Sequence, residues 1–274
     1  KSKGISLETL EKLGLIVSRK NGRGYYDRFR NRIMFPIHDV TENVIGFGGR
    51  SIDNSHPKYL NSPETELFSK GENLYALSLA KKTNDNNIIM VEGYMDCISL
   101  YQHGFKQTVA SLGTALSKEQ AKLLKKYTDG VILAYDADDA GQQATLRGMD
   151  ILAKEGLNVR IMSLPKGSDP DDYIRSQGSE AFSKILNKSL ELIDYKLHIA
   201  KKDIDISTSR GKLDYIKRAI DILTSIKSEP QLEIYIKKVA NDLKISEHAI
   251  KKEVQKRKLP NNGSEYKKSQ TRNN

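Results

Sequence analysis

The stretch that decides the fold is "LAYDADDAG", Leu133 to Gly141, in which three aspartates fall within four positions directly after an apolar run. The residues before it complete a strand-like segment, "GVILAY", and the residues after it, "DAGQQATLRGMDILAKEG", have a helical pattern. Like charges this close repel one another unless something cationic holds them together. The stretch therefore predicts a strand that ends at a cation-binding turn, and the cation is either a neighbouring side chain or a metal.

The same strand-then-helix pattern continues on both sides of this stretch. Strand-like runs alternate with helical runs, in the order "NNIIMV", "YMDCISLYQHG", "QTVAS", "SKEQAKLLKKYTD", "GVILAY", "DAGQQATLRGMDILAKEG" and "NVRIMSLP". Alternation of this kind with short loops is typical of a parallel sheet covered by helices on both faces. We therefore predict an α/β module at residues 84–187.

The flanking regions have different patterns. Residues 1–83 are mixed, with short strand-like runs and glycines, and predict a basic α+β subdomain. Residues 188–258 carry apolar residues at helical spacing with no strand between them, which predicts a small helical bundle. Residues 259–274 are polar and contain Pro and Gly, so we expect a linker or a disordered tail.

Acidic residues follow three of the predicted strands. In parallel α/β sheets, ligands bind outside the carboxyl ends of the strands. The acids that fall at such ends, or one helical turn beyond, are Glu92, Asp96, Asp136, Asp138, Asp169, Asp171 and Asp172. The sequence therefore predicts that carboxylates from three strands converge on one crevice.

Two interpretations of these acids compete. A single Asp often caps the helix that follows it. A cap needs only one side chain, however, whereas "DADD" and "DPDD" each supply three, and no run of arginines accompanies either cluster. Hard oxygen ligands suit Mg²⁺ or Mn²⁺, and two ions about 4 Å apart would serve phosphoryl transfer. We therefore predict a site for more than one divalent ion.

Basic residues cluster before the α/β module. In "DRFRNRIMF", a strand would place Arg28, Arg30 and Arg32 on one face, where arginines can bind phosphates through two hydrogen bonds. In "GFGGR", the glycines would let the backbone approach a ligand while Arg50 projects. The next segment adds Lys58, Tyr59, Asn61 and Lys70.

The composition indicates a polyanionic partner without identifying it. Lys and Arg number 45 against 35 Asp and Glu, for a net charge of +10, which favours nucleic acid or an anionic membrane surface but also fits a solvated lysine-rich surface. The single Cys97 excludes an internal disulfide and a cysteine-based zinc site, and fits a reducing cytosol. No apolar stretch approaches the ~20 residues of a membrane helix, so we expect no membrane-spanning helix. Of the two kinds of partner we expect nucleic acid and no membrane, in a cytoplasmic protein.

Three acidic motifs, "VEGYMD", "YDADDAG" and "GSDPDDYI", resemble in order and spacing the Glu, Asp-x-Asp and further acidic motif of the Toprim fold. That fold occurs in primases, topoisomerases and some nucleases. The resemblance covers residues 88–174 and implies that Glu92 is a metal ligand or proton-transfer group. It also implies that Asp136 and Asp138 bind metal. We further expect Asp169 and Asp171 to help hold a second ion, and Asp96, a candidate catalytic residue with Glu92, Asp136 and Asp138, to complete the cluster or orient a ligand.

The segments "YYDRFRNRIMFPI", "IGFGGR", "PKYLNSPET" and "SLGTALSKEQ" closely resemble bacterial DnaG-type DNA primases. The resemblance implies an RNA polymerase core that uses ribonucleoside triphosphates to make short primers on single-stranded DNA. It implies a nucleotide- and template-binding face formed by Arg28, Arg30, Arg50, Lys58, Tyr59, Asn61 and Lys70. We expect a monomeric fragment that lacks both the zinc-binding module and the C-terminal domain through which a primase binds the replicative helicase.

Two other functions remain open. One is a Toprim DNA-cleaving enzyme, a topoisomerase or nuclease fragment, which would lack the basic strand and "PKYLNSPET". The other is a non-catalytic Toprim DNA-binding protein, which can lose the acidic set, whereas Glu92, Asp136 and Asp138 are all present. Tyr94 invites comparison with a topoisomerase nucleophile, but its position at a helix start, between Glu92 and Asp96, favours a packing role.

Overall fold

The computed structural model describes residues 3–20, 22–53, 55–113, 115–135 and 139–258, and for residues 139–144 it describes the backbone alone. The chain forms two compact units, Lys1–Leu192 and the residues from Ile193 onward. Within the described part of the chain, every helix is too short or too polar to cross a membrane.

The first unit begins with small antiparallel elements that follow a short helix. Strands β1 and β2 pair as a hairpin, and β3, β4 and β5 form an antiparallel sheet in that order. The bounds are α1 Leu7–Lys12, β1 Ile16–Ser18, β2 Tyr25–Asp27, β3 Arg32–His38, β4 Val44–Ser51 and β5 Tyr59–Asn61. The mixed α+β character predicted for this region is confirmed.

Strand β3 begins later than the sequence pattern predicts. It starts at Arg32, and the preceding Asn31 has φ 52°, in the left-handed region that interrupts an extended strand. Arg28 and Arg30 therefore lie in an irregular segment before the strand. The prediction that all three arginines share one strand face is wrong, because the alternation of a strand does not extend back to Arg28.

The centre of the first unit is a five-stranded sheet in the order β10-β9-β8-β6-β7. Strands β6 to β9 are parallel, and β10 adds an antiparallel edge. The elements are α2 Leu77–Ala80, β6 Asn87–Val91, α3 Tyr94–Gln102, β7 Thr108–Ala110, α4 Lys118–Lys125, β8 Gly130–Leu133, α5 Asp139–Lys154, β9 Asn158–Ile161, α6 Pro170–Asn187 and β10 Leu190–Glu191. The predicted Toprim module, a parallel sheet flanked by helices, is confirmed.

The inner strands are apolar throughout because both faces of the sheet are covered. On one face, Ile89 and Ile132 share a core with Cys97 of α3 and Phe182 of α6. On the other face, the side chain of Leu133 lies against α5. Burial of alternate residues on opposite faces explains why these strands read as continuous apolar runs. Glu92, which directly follows β6, is therefore held at the edge of a packed core.

The second unit consists of helices, as the helical spacing predicts. They are α7 Leu192–Lys201, which begins at the boundary residue, α8 Ser209–Thr224, α9 Glu229–Leu243 and α10 Glu247–Lys258. Thr208 and Ser228 cap α8 and α9. Tyr215 and Leu243 are fully buried, so the unit has a core of its own.

Candidate functional site

The site lies at the carboxyl edge of the parallel sheet, where β6 and β8 end side by side. Met90 pairs with Leu133, and the amide of Ala134 donates to the carbonyl of Met90 at 2.9 Å. Glu92 lies two residues after Met90, and Tyr135 lies two residues after Leu133. Burial, and then the negative charge of Glu92, raise the pKa of the Tyr135 hydroxyl. The carboxylate of Glu92 therefore lies near enough to Tyr135, just after β8, for its charge to act on the Tyr135 hydroxyl.

The aspartate pair of the opening stretch begins directly after Tyr135. Asp136 and Asp138 lie outside the described residues, and Asp139 opens α5 without a described side chain. Their predicted role as metal ligands therefore stays a prediction. The strand register does place Tyr135, the residue before Asp136 in the sequence, at the same edge as Glu92, because the two follow neighbouring parallel strands.

Asp96 joins two helix N-termini at this edge. It is 9% exposed; one carboxylate oxygen accepts a 3.2 Å hydrogen bond from the amide of Gly93, and the other accepts one of 3.2 Å from the amide of Asp171. The first bond belongs to a capping box at the start of α3. Asp96 thus fixes α6 against α3, which is a positioning role.

The acids of "GSDPDD" also have local partners. Asp169 caps α6 by accepting a 2.7 Å hydrogen bond from the amide of Asp172. Asp171 is paired with Arg175 one helical turn later, a neutralising contact that the sequence interpretation overlooked. The capping role considered for single aspartates therefore holds for Asp169. Within the described ranges, no three His, Cys, Asp or Glu residues group closely enough to hold a metal ion.

Strand β5 faces this acidic edge. Burial raises the pKa of the Tyr59 hydroxyl; Arg50 opposes this shift, and the charges of Asp96, Asp171 and Asp169 add to it. The phenol of Tyr59 therefore lies in the combined field of one arginine and three carboxylates.

Arg50 and Lys58 surround the same tyrosine. The guanidinium carbon of Arg50 is 5.8 Å from the Tyr59 ring centroid, and the Lys58 Nζ is 5.9 Å from it. Ile33, Arg50 and Tyr59 are cross-strand neighbours on one face of the antiparallel sheet. Ile33 is 54% exposed, so this row forms an accessible basic and apolar surface beside the acids.

Further along the same sheet face, Tyr94 locks the antiparallel sheet to α3. Its ring is 4% exposed, stacks on Phe35 at 5.5 Å between centroids, and meets Tyr75 edge-on at 4.8 Å. Its hydroxyl donates to the side-chain carbonyl of Asn61. Burial raises the pKa of this hydroxyl, which supports the packing role over that of a nucleophile.

The glycines of "GFGGR" make room for protein side chains. A Cβ at Gly48 would lie 2.7 Å from the Tyr94 ring, and a Cβ at Gly46 would lie 3.2 Å from Phe68. The interpretation of these glycines as places where a ligand meets the backbone is therefore wrong at Gly48. Only glycine lets Tyr94 pack this closely against β4.

Asn61 uses its side chain inside the protein. It accepts from Tyr94 and donates to the carbonyl of Leu112 at 2.7 Å, while its own backbone carbonyl accepts a 3.3 Å hydrogen bond from Arg28 Nη2. The side chain of Asn61 thus connects the antiparallel sheet to α3 and to the segment after β7, and Arg28 holds the backbone of Asn61. Their predicted contact with nucleotide or DNA remains a prediction beside this structural role.

Gln120 is a residue of the site region that the sequence interpretation missed. It is fully buried, and its amide nitrogen donates at 2.8 Å to the carbonyls of both Lys70 and Asn73. Its side-chain oxygen accepts from the amide of Ser117, in a capping box at the start of α4. The pattern "SKEQ" carries the capping-box signal, but the distant loop that holds Lys70 is visible only in the fold.

Three protein-family models match successive parts of the chain. The model described as the DNA primase catalytic core, N-terminal domain, matches residues 1–81, and a Toprim-like model matches residues 89–174. The model described as the DnaB-helicase binding domain of primase matches residues 193–248.

This last match overturns an expectation from the sequence. We expect from the sequence that the helicase-binding domain is absent, because the chain ends soon after the predicted helical bundle, and this expectation is wrong. The bundle itself, from α7 into α10, carries the match.

Among curated proteins, the chain is similar to the DNA primase of Clostridium acetobutylicum, with 48% identity over 251 residues, or 91% of this chain. The chain spans 42% of the length of that relative. Among solved structures, a DNA primase domain from Pseudomonas aeruginosa matches with TM-score 0.75 and 34% identity, covering 91% of this chain and 79% of that one. A DnaG primase catalytic domain bound to ssDNA matches with TM-score 0.75 and 36% identity, covering 88% and 77%.

Proposed function

The chain belongs to the bacterial DNA primase family, and from that premise we propose that it synthesises short RNA primers on single-stranded DNA by nucleotidyl transfer. One observation carries the proposal. The carboxyl edge of the parallel sheet, with Glu92 and the start of the aspartate turn, faces a strand that presents Lys58 and Tyr59 beside Arg50.

In the proposed reaction, the 3′-hydroxyl of the growing primer attacks the α-phosphate of a ribonucleoside triphosphate, and pyrophosphate leaves. Catalysis rests on positioning the two reactants and on offsetting the charge that develops. Glu92 acts at the reacting hydroxyl as a proton acceptor or as a ligand. Asp96 acts through α3 and α6, whose N-termini it joins, rather than on the substrate.

The chemistry of the donor set suits Mg²⁺ or Mn²⁺. When bound, such ions would neutralise the phosphates and activate the attacking hydroxyl. Glu92, Asp136 and Asp138 are the residues that would hold the first ion, and Asp169 and Asp171 would help with a second. Of these residues, the structure describes the side chains of Glu92, Asp169 and Asp171. The carboxylate of Asp171 also forms an ion pair with Arg175, which would compete with a bound ion. The strand register supports the remainder, because Tyr135, the residue before Asp136 in the sequence, follows β8 at the edge where Glu92 follows β6.

The binding face for triphosphate and template consists of residues from the first unit. Its proposed members are Arg28, Arg30, Arg50, Lys58, Tyr59, Asn61 and Lys70. Arg50, Lys58 and Tyr59 are supported best, because they form one accessible cluster in the field of the acids. Binding through these residues should weaken with salt, since each neutralised phosphate releases counterions.

The second unit supplies a proposed contact with the replicative helicase. The family model that matches this unit is described as the DnaB-helicase binding domain of primase, and the unit has its own buried core. We place the protein in the bacterial cytoplasm at the replication fork. The polymerase and helicase-binding roles are then divided between the two compact units.

Template-directed ribonucleotide incorporation on single-stranded DNA, with Mg²⁺ or Mn²⁺ varied, tests the proposal. We expect metal-dependent synthesis of short RNA and no relaxation or nicking of supercoiled DNA. Cleavage of supercoiled DNA without RNA synthesis would favour the DNA-cleaving alternative, against which the buried hydroxyl of Tyr94 argues. DNA binding without either activity would favour the non-catalytic one.

A further inference from the structure

A second basic site lies at the β1–β2 hairpin. The loop that follows β1 carries Arg19 and Lys20, both exposed, and together with Tyr26 and Arg30 they line an open cavity of about 450 Å³. A cavity of this size accommodates a nucleotide-sized group. A cavity lined by three cationic side chains around one aromatic ring is suited to binding a phosphate group.

The hairpin geometry keeps this face free of nearby acids. Val17 pairs with Tyr26, whereas Asp27 pairs with Ile16, so alternation along β2 points Asp27 to the face opposite Tyr26. Glu11 is engaged by the hydroxyl of Ser18, which alternates to the side away from Val17. No described acid lines the cavity, and neither Arg19, Lys20 nor Arg30 forms an ion pair with a described residue.

The cavity is held in shape by short-range contacts. The amide of Arg19 donates to the carbonyl of Gly24 at 3.0 Å, and the amide of Gly22 donates to the carbonyl of Arg19 at 2.9 Å. The guanidinium carbon of Arg30 lies 4.9 Å from the centroid of Tyr26. The backbone of the loop thus fixes the origin of the Arg19 side chain, and the aromatic ring restrains Arg30.

From these observations we infer that the hairpin cavity binds the sugar–phosphate backbone of single-stranded nucleic acid. A metal-bound nucleoside triphosphate needs carboxylates near its phosphates, and the described lining contains none. An open surface with exposed, long cationic side chains instead suits a strand that passes across it. The inference rests on the proposed function, because it extends the template path from the Arg28–Arg30 segment to the hairpin.

Fluorescence anisotropy with a labelled oligo-dT strand, without nucleotides or catalysis, tests the inference directly. We expect the double variant Arg19→Ala, Lys20→Ala to bind about 10- to 30-fold more weakly at about 0.1 M salt. The log–log salt slope should fall by about 1.4, since each phosphate contact to a single strand contributes about 0.7.

A matched control is Lys106→Ala with Lys154→Ala. It removes the same charge from exposed lysines that lie just before β7 and at the end of α5, at the amino edge of the sheet. We expect this control to change the affinity less than threefold. An equal loss in both double variants would overturn the inference, because net charge alone would then explain it.

A second arm separates the two sources of phosphate. We expect the KM for ribonucleoside triphosphates on saturating template to stay within about twofold in the hairpin variant. Unchanged oligo-dT binding together with a raised KM would assign the cavity to free nucleotide and overturn the inference. If the unaltered chain binds oligo-dT normally but makes no primer, that result would instead count against the proposed activity. The two failures are therefore distinguishable.

Discussion

Asp138→Asn lowers template-directed primer synthesis by about 10²- to 10³-fold if the aspartate turn holds the catalytic ion. The substitution preserves shape but removes the negative charge of a proposed metal ligand, and loss of one preorganised electrostatic group costs about that factor in rate. The measurement is ribonucleotide incorporation on single-stranded DNA at saturating nucleotide, over a range of Mn²⁺ concentrations. Partial recovery at high Mn²⁺ is expected, because weakened binding of an ion is offset by mass action.

The matched control for this variant is Asp172→Asn. Asp172 belongs to the other acidic motif, is exposed, and contributes its backbone amide to the cap of α6. The same loss of charge there should leave primer synthesis within about twofold of the unaltered chain. Activity of Asp138→Asn within a few-fold of the unaltered chain would remove the aspartate turn from the mechanism.

Gly48→Ala is expected to destabilise the first unit by about 1–3 kcal/mol, the usual cost of forcing an extra methyl group into a packed interior. Its Cβ would lie 2.7 Å from the Tyr94 ring, which is itself held between Phe35 and Tyr75 and by Asn61. Because the ring cannot retreat without breaking these contacts, β4 or α3 has to shift. Urea unfolding followed by near-ultraviolet circular dichroism of the tyrosines measures the change.

Gly148→Ala is the same chemical change as Gly48→Ala, but we expect it to stabilise the protein. Gly148 lies inside α5, and a Cβ there would meet its nearest neighbours, Leu116 and Leu133, at 3.6 and 3.7 Å, which are ordinary contact distances. Since alanine is favoured over glycine within a helix, we expect stabilisation by about 0.5–1 kcal/mol. Equal effects of the two substitutions would show that close packing of Tyr94 is not what requires glycine at position 48.

The parallel sheet could be predicted from the sequence because its signals are local. Ile88 to Val91 and Val131 to Leu133 are apolar at every position, as strands covered on both faces must be, and helical patterns separate them. The carboxyl ends of such strands meet at one edge whatever the details of packing. That rule alone predicts that Glu92 and the residues after β8 lie at the same edge, and the register of β6 and β8 agrees for Glu92 and Tyr135.

The remaining features depend on contacts between distant residues. Nothing local in "GFGGR" indicates that a tyrosine 46 positions later fills the space over Gly48, or that Asn61 accepts its hydroxyl. The start of β3 was misplaced because Asn31 adopts a left-handed conformation, which a period of two does not reveal. The helical bundle was correctly predicted as helical, but amphipathic spacing carries no information about which partner a bundle binds.

The central claim is that carboxylates from neighbouring parallel strands share divalent ions at the edge faced by Arg50 and Tyr59. Anomalous diffraction at the manganese edge, from crystals of the chain grown with Mn²⁺, tests it most directly. The account predicts an anomalous peak in contact with carboxylate oxygens of Glu92 and of Asp136 or Asp138, and loss of that peak in a Glu92→Gln, Asp138→Asn double variant. Well-ordered crystals with no peak at this edge, or a peak that survives both substitutions, would contradict it.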